Sequence, residues 1–100
     1  MTPATVVHAF AHAGAPVVRY AQPPSLCSRE VCRGLDYAGG GIVAFLAPRT
    51  KPQFEIVVLR TQGEARTLAA LVHGRRHANA VLVQLSSRKQ IEAIFDRIRP

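Results

Sequence analysis

The chain has 100 residues, of which 48% are hydrophobic, and it carries a formal net charge of +7 with only two cysteines. This length and composition predict one globular domain over residues 1–100 and exclude a disordered tail. The chain contains no run of about 18 apolar residues, which excludes a membrane span, and two cysteines are too few to staple a small secreted domain. We therefore expect a cytoplasmic protein with reduced thiols and no membrane partner.

The first half of the chain begins with an amphipathic pattern. Val6, Val7 and Phe10 fall on one face of a helix over residues 4–13, and Gly14 follows as a stop signal. Three further elements are expected before the midpoint of the chain: a strand over 16–21, a helix over 25–34 with Ser25 as its cap, and, after the flexible turn LDYAGGG, a strand over 41–47 that is apolar on both faces.

The second half predicts two strands and two helices. A strand over 53–60 returns along strand 41–47 as a hairpin. Thr61 and Glu64 fit a capping box for a helix over 62–73, in which Leu68, Leu71 and Val72 pack inward and Gly74 ends the helix. The remaining elements are a strand over 81–85 and a last helix, for which Ser87 and Gln90 fit a second capping box and Ile91, Ile94, Phe95 and Ile98 form the apolar stripe.

The order of elements is α-β-α-β-β-α-β-α, which predicts an α/β domain with a mixed central sheet of about four strands and helices on both faces. Strands 53–60 and 81–85 enclose a helix, so they are expected to be parallel and joined by a right-handed crossover. A chain this short buries only about 60 to 70% of its unfolded surface, and this is compatible with a homodimer.

Three stretches together resemble the PD-(D/E)xK nuclease superfamily, most closely its small phage and repair nucleases of the VRR type. They are SREVCRGLDYAGGGIVAFL, FEIVVLRTQGEARTLAALVHG and NAVLVQLSSRKQIEAIFDRI, and the likeness covers nearly the whole chain. The resemblance implies a restriction-endonuclease-like order of elements, a nucleic-acid substrate and an origin in a phage or other mobile element.

The catalytic motif of that family does not carry over. Its Pro-Asp falls on Gly40 and Gly41, and its E-x-K falls on Val58, Leu59 and Arg60. Magnesium is a hard ion that needs oxygen ligands, so we expect no metal, no cofactor and no catalytic residue. The alternative is an active Mg- or Mn-dependent nuclease that uses Asp36 and Glu55. The simpler interpretation of these two residues is a turn position and an outward-facing strand position.

The basic residues are the remaining signal, because 13 of them stand against 6 acidic ones and most are arginine. Guanidinium groups bind phosphate through two parallel hydrogen bonds, so we expect a nucleic-acid-binding or accessory domain. Arg60 and Arg66 are the central candidates. The alternatives are solvated surface clusters and an interaction module for an acidic protein partner. The other candidates lie in three pairs: Arg49 and Lys51, Arg75 and Arg76, and Arg88 and Lys89.

Histidines and cysteines raise a second possibility, a zinc site. His8 and His12 are four residues apart, as are His73 and His77, and Cys27 and Cys32 are five apart. No compact zinc-binding spacing results, and His8 and His12 lie opposite the apolar face of the first helix. We therefore expect surface histidines and no metal.

Overall fold

The structure, a computed structural model, describes residues 1–19, 37–44, 54–84 and 88–100. No helix in these ranges is long and apolar enough to cross a membrane. The helix expected over 25–34 lies outside the described residues. The elements in chain order are α1 (Pro3–His12), β1 (Val17–Arg19), β2 (Tyr37–Ala44), β3 (Phe54–Leu59), α2 (Gln62–Val72), β4 (Arg75–His77), β5 (Ala80–Gln84) and α3 (Lys89–Asp96).

The described strands form one sheet in the order β1-β2-β3-β5-β4. The hairpin of β2 and β3 is confirmed, with Ala44 opposite Phe54 and Gly41 opposite Val57. Its first strand begins at Tyr37, earlier than expected, so the glycines at 39–41 lie within β2 and not in a turn before it. The register shifts between Tyr37 and Gly41, as at a β-bulge, where glycine is often found.

The expected parallel pairing of strands 53–60 and 81–85 is wrong. β3 and β5 are antiparallel, and every hydrogen-bonded pair among the described strands is antiparallel, so a mixed sheet is not observed in this part of the chain. The cause is β4, a three-residue strand in the segment that was expected to be a connector. The chain reverses at Ala78 and Asn79 after β4, and β5 therefore runs opposite to the direction that a simple crossover would give it.

Alternating side chains of β3 supply two hydrophobic layers. Phe54, Ile56 and Val58 face one layer, which α1 and α3 cover through residues such as Phe10 and Phe95. The opposite layer holds the other apolar residues of β3 and is covered by α2, whose members there include Ala65 and Leu68. Helices on both faces of the sheet are therefore confirmed. Leu71, expected to pack inward, is instead 52% exposed.

The start of α2 is capped as predicted, but its end differs. The Glu64 backbone N–H donates to the Thr61 hydroxyl at 3.1 Å. The helix ends at Val72, and His73, not a glycine, takes the left-handed conformation with a φ of 54°. Gly74 serves another purpose, because a Cβ built on it would lie 2.5 Å from Val81 Cγ1. The glycine therefore allows the chain to pass close to β5 as it enters β4.

The start of α3 is capped by a residue of the neighbouring strand. Ser87, the expected cap, lies outside the described residues, and the N-cap residue is Arg88. The Arg88 backbone N–H donates to the side-chain oxygen of Gln84 at 3.1 Å. The apolar stripe is confirmed for Ile91, Phe95 and Ile98, which are 4%, 0% and 4% exposed.

Candidate nucleic-acid interface

The position that the nuclease resemblance assigns to E-x-K is apolar. Val58 and Leu59 are each 0% exposed, and they point to opposite hydrophobic layers. The third residue, Arg60, is exposed where the strand has ended. Hard divalent ions require oxygen ligands. Val58 and Leu59 offer none from their side chains.

Glu55, the alternative catalytic acid, is a buried residue. The prediction that it faces outward is wrong, because it is 1% exposed and lies between Val43 of β2 and Val83 of β5. It lies on the same side of β3 as Val57 and Leu59, which face α2, and it has an interaction partner. Five residues separate it from Arg60, about 17 Å along a strand. Its proposed companion, Asp36, lies outside the described residues, within which no group of three or more metal-binding side chains occurs.

Arg60 and Arg66, the central candidates, both lie close to the start of α2. Arg60 precedes the cap residue Thr61, and its side chain is exposed and has an interaction of its own. Arg66 follows the buried Ala65 on the helix and is exposed. The strand-to-helix junction thus carries two surface guanidinium groups. Arg60 lies before the helix begins, and Arg66 lies more than one turn into it.

Arg75 is engaged by a carboxylate. Its Nε donates to Asp96 Oδ1 at 2.8 Å, and its Nη2 donates to Asp96 Oδ2 in a second, parallel bond. These hydrogen bonds raise the pKa of Arg75 and lower the pKa of Asp96, although partial desolvation of the carboxyl opposes the second shift. A phosphate would have to displace Asp96 to bind this side chain in the same way.

Arg76, the neighbour of Arg75, lies on the opposite side of the sheet. It pairs with Val81, which belongs to the layer under α2, whereas Arg75 pairs with Leu82 on the α3 side. The Arg76 Nη1 donates to the carbonyl of Ala78 at 3.0 Å. That single bond leaves donors of this exposed guanidinium for a further acceptor.

Arg88 and Lys89 lie at the other end of the sheet from Arg60. The Arg88 backbone is bonded to Gln84, and Gln84 is opposite Phe54 at the beginning of β3. Arg60 follows the other end of that strand. The predicted basic residues therefore do not form one group. Arg49 and Lys51, the pair expected at the hairpin tip, lie outside the described residues.

Comparison with protein-family models, curated proteins and solved structures gave no match.

The acidic side chains of the described residues all have structural roles or partners. Glu55 is buried, Glu64 lies beside the Thr61 cap, and Asp96 binds Arg75. Glu92 accepts a hydrogen bond from the Gln84 amide at 3.3 Å. Most basic side chains in the same ranges are exposed. The described surface is consequently dominated by positive charge.

A cleft of about 200 Å³ lies between the end of α2 and α3. Its walls include the positive Arg75, already bound by Asp96, and the negative Glu92. This mixture of charges gives the cleft no clear preference for an anion. Its remaining lining residues are His73, Leu82 and Gln84.

The histidines divide into surface and structural residues. His8 and His12 are exposed, as predicted. His77 is half-buried, so the prediction of a surface residue is wrong for it. Its Nε2 lies 2.6 Å from the Ile98 carbonyl, and its ring packs edge-on against Phe95.

Sequence reasoning missed two exposed arginines, Arg97 and Arg99, which flank the buried Ile98 after α3. The pattern RIRP directly after an amphipathic helix was the available signal, because an apolar residue between two arginines leaves both charges on the surface. It also missed Asn79, whose contacts join distant segments of the chain.

Proposed function

We propose that this domain binds nucleic acid through the phosphate backbone and does not cleave it. The observation that supports the proposal most directly is the imbalance of surface charge. The acidic side chains of the described residues are buried or engaged by other groups, while Arg66, Arg76 and other basic residues are exposed. The net charge of +7 extends this imbalance to the whole chain.

Arginine suits this role because its planar guanidinium matches two phosphate oxygens at once. Binding releases counterions from the nucleic acid, so the affinity falls as salt rises. In the proposal, Arg60 and Arg66 contact phosphates beside the start of α2, with further contacts from other exposed basic residues. The candidates outside the described residues, Arg49 and Lys51, would extend the same surface or a second one.

The absence of cleavage rests on the apolar residues at the end of β3. If the proposed relationship to PD-(D/E)xK nucleases holds, the buried Val58 and Leu59 replace the metal-binding acid of the E-x-K motif and its neighbour. The competing proposal is a nuclease that uses Glu55, Asp36 and bound Mg²⁺ or Mn²⁺. The burial of Glu55 is compatible with that role only if a metal can reach it, so cleavage assays with either ion decide between the two.

A relationship to PD-(D/E)xK nucleases is a separate part of the proposal. It assigns to the chain a helix over 25–34 before the hairpin and an origin in a phage or mobile element, whereas the order α-β-α-β-β-α-β-α that it implied lacks β4. Nucleic-acid binding does not depend on it, because the charge argument holds for any fold. The antiparallel pairing of β3 and β5 departs from the parallel βαβ unit that the order of elements predicted.

The primary test is a titration of a labelled 30-base-pair DNA duplex with the purified protein at several salt concentrations. Three to four phosphate contacts predict a slope of about −2.7 to −3.6 in a plot of log K against log salt. The same titration with single-stranded DNA, duplex RNA and single-stranded RNA identifies the preferred form. Lack of binding to all four at about 20 mM salt rejects the proposal, and capture of an acidic protein partner would then favour an interaction module.

Incubation of the same nucleic acids with Mg²⁺ or Mn²⁺ tests the enzyme alternative. We expect no cleavage in either ion. Cleavage that disappears in both Asp36→Ala and Glu55→Gln, while both variants retain the wild-type circular dichroism spectrum, would establish the nuclease.

A further inference from the structure

Asn79 joins three segments at one end of the sheet. Its side-chain amide donates to the Met1 carbonyl at 2.8 Å and to the Leu59 carbonyl at 2.6 Å. Its backbone carbonyl accepts from the Leu59 N–H at 2.7 Å. The end of β3, the turn between β4 and β5 and the beginning of the chain are therefore held together at this point.

The C-terminal side of α3 is brought to the same end by His77. The His77 ring nitrogen lies 2.6 Å from the Ile98 carbonyl, and His77 pairs with Ala80 at the first position of β5. Ile98 is 4% exposed and so is fixed in the core. Arg97 and Arg99, on either side of it, are exposed.

Two more arginines lie beside these contacts. Arg60 directly follows Leu59, which is bonded to Asn79. Arg76 directly precedes His77 and donates to the carbonyl of Ala78 in the turn. Four arginines that are distant in the sequence therefore lie at one end of the sheet, where α2 also begins. Arg76 lies on the α2 side of this end, and Arg97 and Arg99 lie where α3 ends on the other side.

We propose that Arg60, Arg76, Arg97 and Arg99 form a single surface, the basic end, that binds the phosphate backbone of duplex nucleic acid. This inference rests on the proposed function and adds the location of the interface. It also excludes from that interface Arg75, which binds Asp96, and Arg88 and Lys89, which lie at the opposite end of the sheet.

The favoured partner is a duplex because the surface consists of guanidinium groups, and the phenylalanine rings within residues 1–17, 54–84 and 88–100 are unavailable for stacking. Phe10, Phe54 and Phe95 are 0%, 2% and 0% exposed. Proteins that bind single strands without sequence preference commonly stack bases on exposed aromatic side chains. A surface made of guanidinium groups is suited to the regular phosphates of a duplex, which present one negative charge per about 1.7 Å of helix axis.

Two double variants, one at each end of α3, test where the nucleic acid binds. Arg97→Gln with Arg99→Gln removes two positive charges from the basic end. Arg88→Gln with Lys89→Gln removes two from the opposite end of α3 and is the matched control, since both variants have the same net charge. Arg76→Gln is a third variant and lies on strand β4. Circular dichroism and thermal melting establish that each variant is folded before binding is measured.

With a 30-base-pair DNA duplex at about 50 mM salt, we expect the first variant to lose at least 10-fold in affinity and the control less than 2-fold. The slope of log K against log salt should become less negative by about 1.8 for the first variant, as expected for two lost phosphate contacts, and remain unchanged in the control. Arg76→Gln should make the slope less negative by about 0.9.

Three results would overturn the inference. Equal losses in the two double variants would indicate attraction by net charge alone, and a greater loss in the control would locate the interface at the other end. Either result leaves the proposed function intact. If the wild-type protein binds no duplex at low salt, the basic end and the proposed function both fail.

Discussion

Arg75 and Asp96 join the edge strand β4 to α3 through two parallel hydrogen bonds, with the Nε to Oδ1 distance at 2.8 Å. The geometry matches the planar fork of a guanidinium to a carboxylate, which is the strongest form of such a pair. The side chains are nevertheless 48% and 40% exposed, so water and salt screen the interaction. The pair therefore orients two elements more than it stabilises the fold.

The Arg75 and Asp96 pair should have a small, acid-sensitive effect on stability. A double-mutant cycle with Arg75→Gln and Asp96→Asn should give a small favourable coupling free energy at pH 7, measured by urea unfolding. The cycle is needed because Asp96 lies at the C-terminal end of α3, where a negative charge opposes the helix dipole. A coupling energy of zero would mean that the pair contributes only orientation.

Acidification should remove this coupling. The pKa of Asp96 is lower in the folded state, mainly because of the hydrogen bond from Arg75. The contribution of the pair is therefore complete above the unfolded-state pKa of about 3.9 and is lost as the pH falls through the folded-state pKa. We expect the coupling energy to be constant from about pH 5 to 8 and to shrink below about pH 4. A coupling that persists unchanged at pH 2 would contradict the assigned cause.

Adjacent arginines of β4 should differ in nucleic-acid binding. Arg76→Gln should weaken duplex binding several-fold, because Arg76 belongs to the proposed basic end. Arg75→Gln should have a smaller effect, since Arg75 is already bound by Asp96. The two variants have equal net charge, so a titration at one salt concentration compares them directly. Equal losses in the two variants would reject the distinction.

The sequence predicted helices on both faces of the sheet, the cap of α2 and the apolar stripe of α3, because those features depend on local patterns. The Thr61 cap and the spacing of Ile91 and Phe95 appear in the structure as expected. The direction of β5 could not be predicted in this way. It depends on β4, whose three residues carry no apolar pattern and are held by pairing with β5.

The candidate site was less predictable, because it depends on contacts between distant segments. Nothing local indicates that Asn79 bonds to Met1 and Leu59, or that His77 holds Ile98. Glu55 was misjudged for a related reason. Its charge favours an outward position, but the α2 layer buries that side of β3.

Two glycines should respond in opposite ways to substitution by alanine. In Gly74→Ala the new Cβ would lie 2.5 Å from Val81 Cγ1 and 3.1 Å from the Leu82 carbonyl oxygen. Relief of that overlap requires movement of the chain, so we expect a loss of about 1 to 3 kcal/mol in the free energy of unfolding. Gly63→Ala is the control, because its nearest contact is 3.9 Å away.

The control should be neutral or more stable by up to about 1 kcal/mol, because alanine has the higher helix propensity. Both values come from urea unfolding monitored by circular dichroism. A Gly74→Ala protein as stable as the wild type would show that the segment between α2 and β4 can move away from β5 at little cost.

The stability of the fold should depend on the side-chain amide of Asn79. Asn79→Ala removes the bonds to the Met1 and Leu59 carbonyls, and we expect a loss of about 1 to 3 kcal/mol in the free energy of unfolding. Asn79→Asp should be at least as destabilising at pH 7, because it places a carboxylate against two carbonyl oxygens and retains no donor. Protonation of that aspartate at acid pH supplies one donor, so the deficit of Asn79→Asp relative to Asn79→Ala should narrow as the pH falls. Urea unfolding at pH 7 and pH 4 measures both effects, and an aspartate variant as stable as the wild type at pH 7 would reject this donor arrangement.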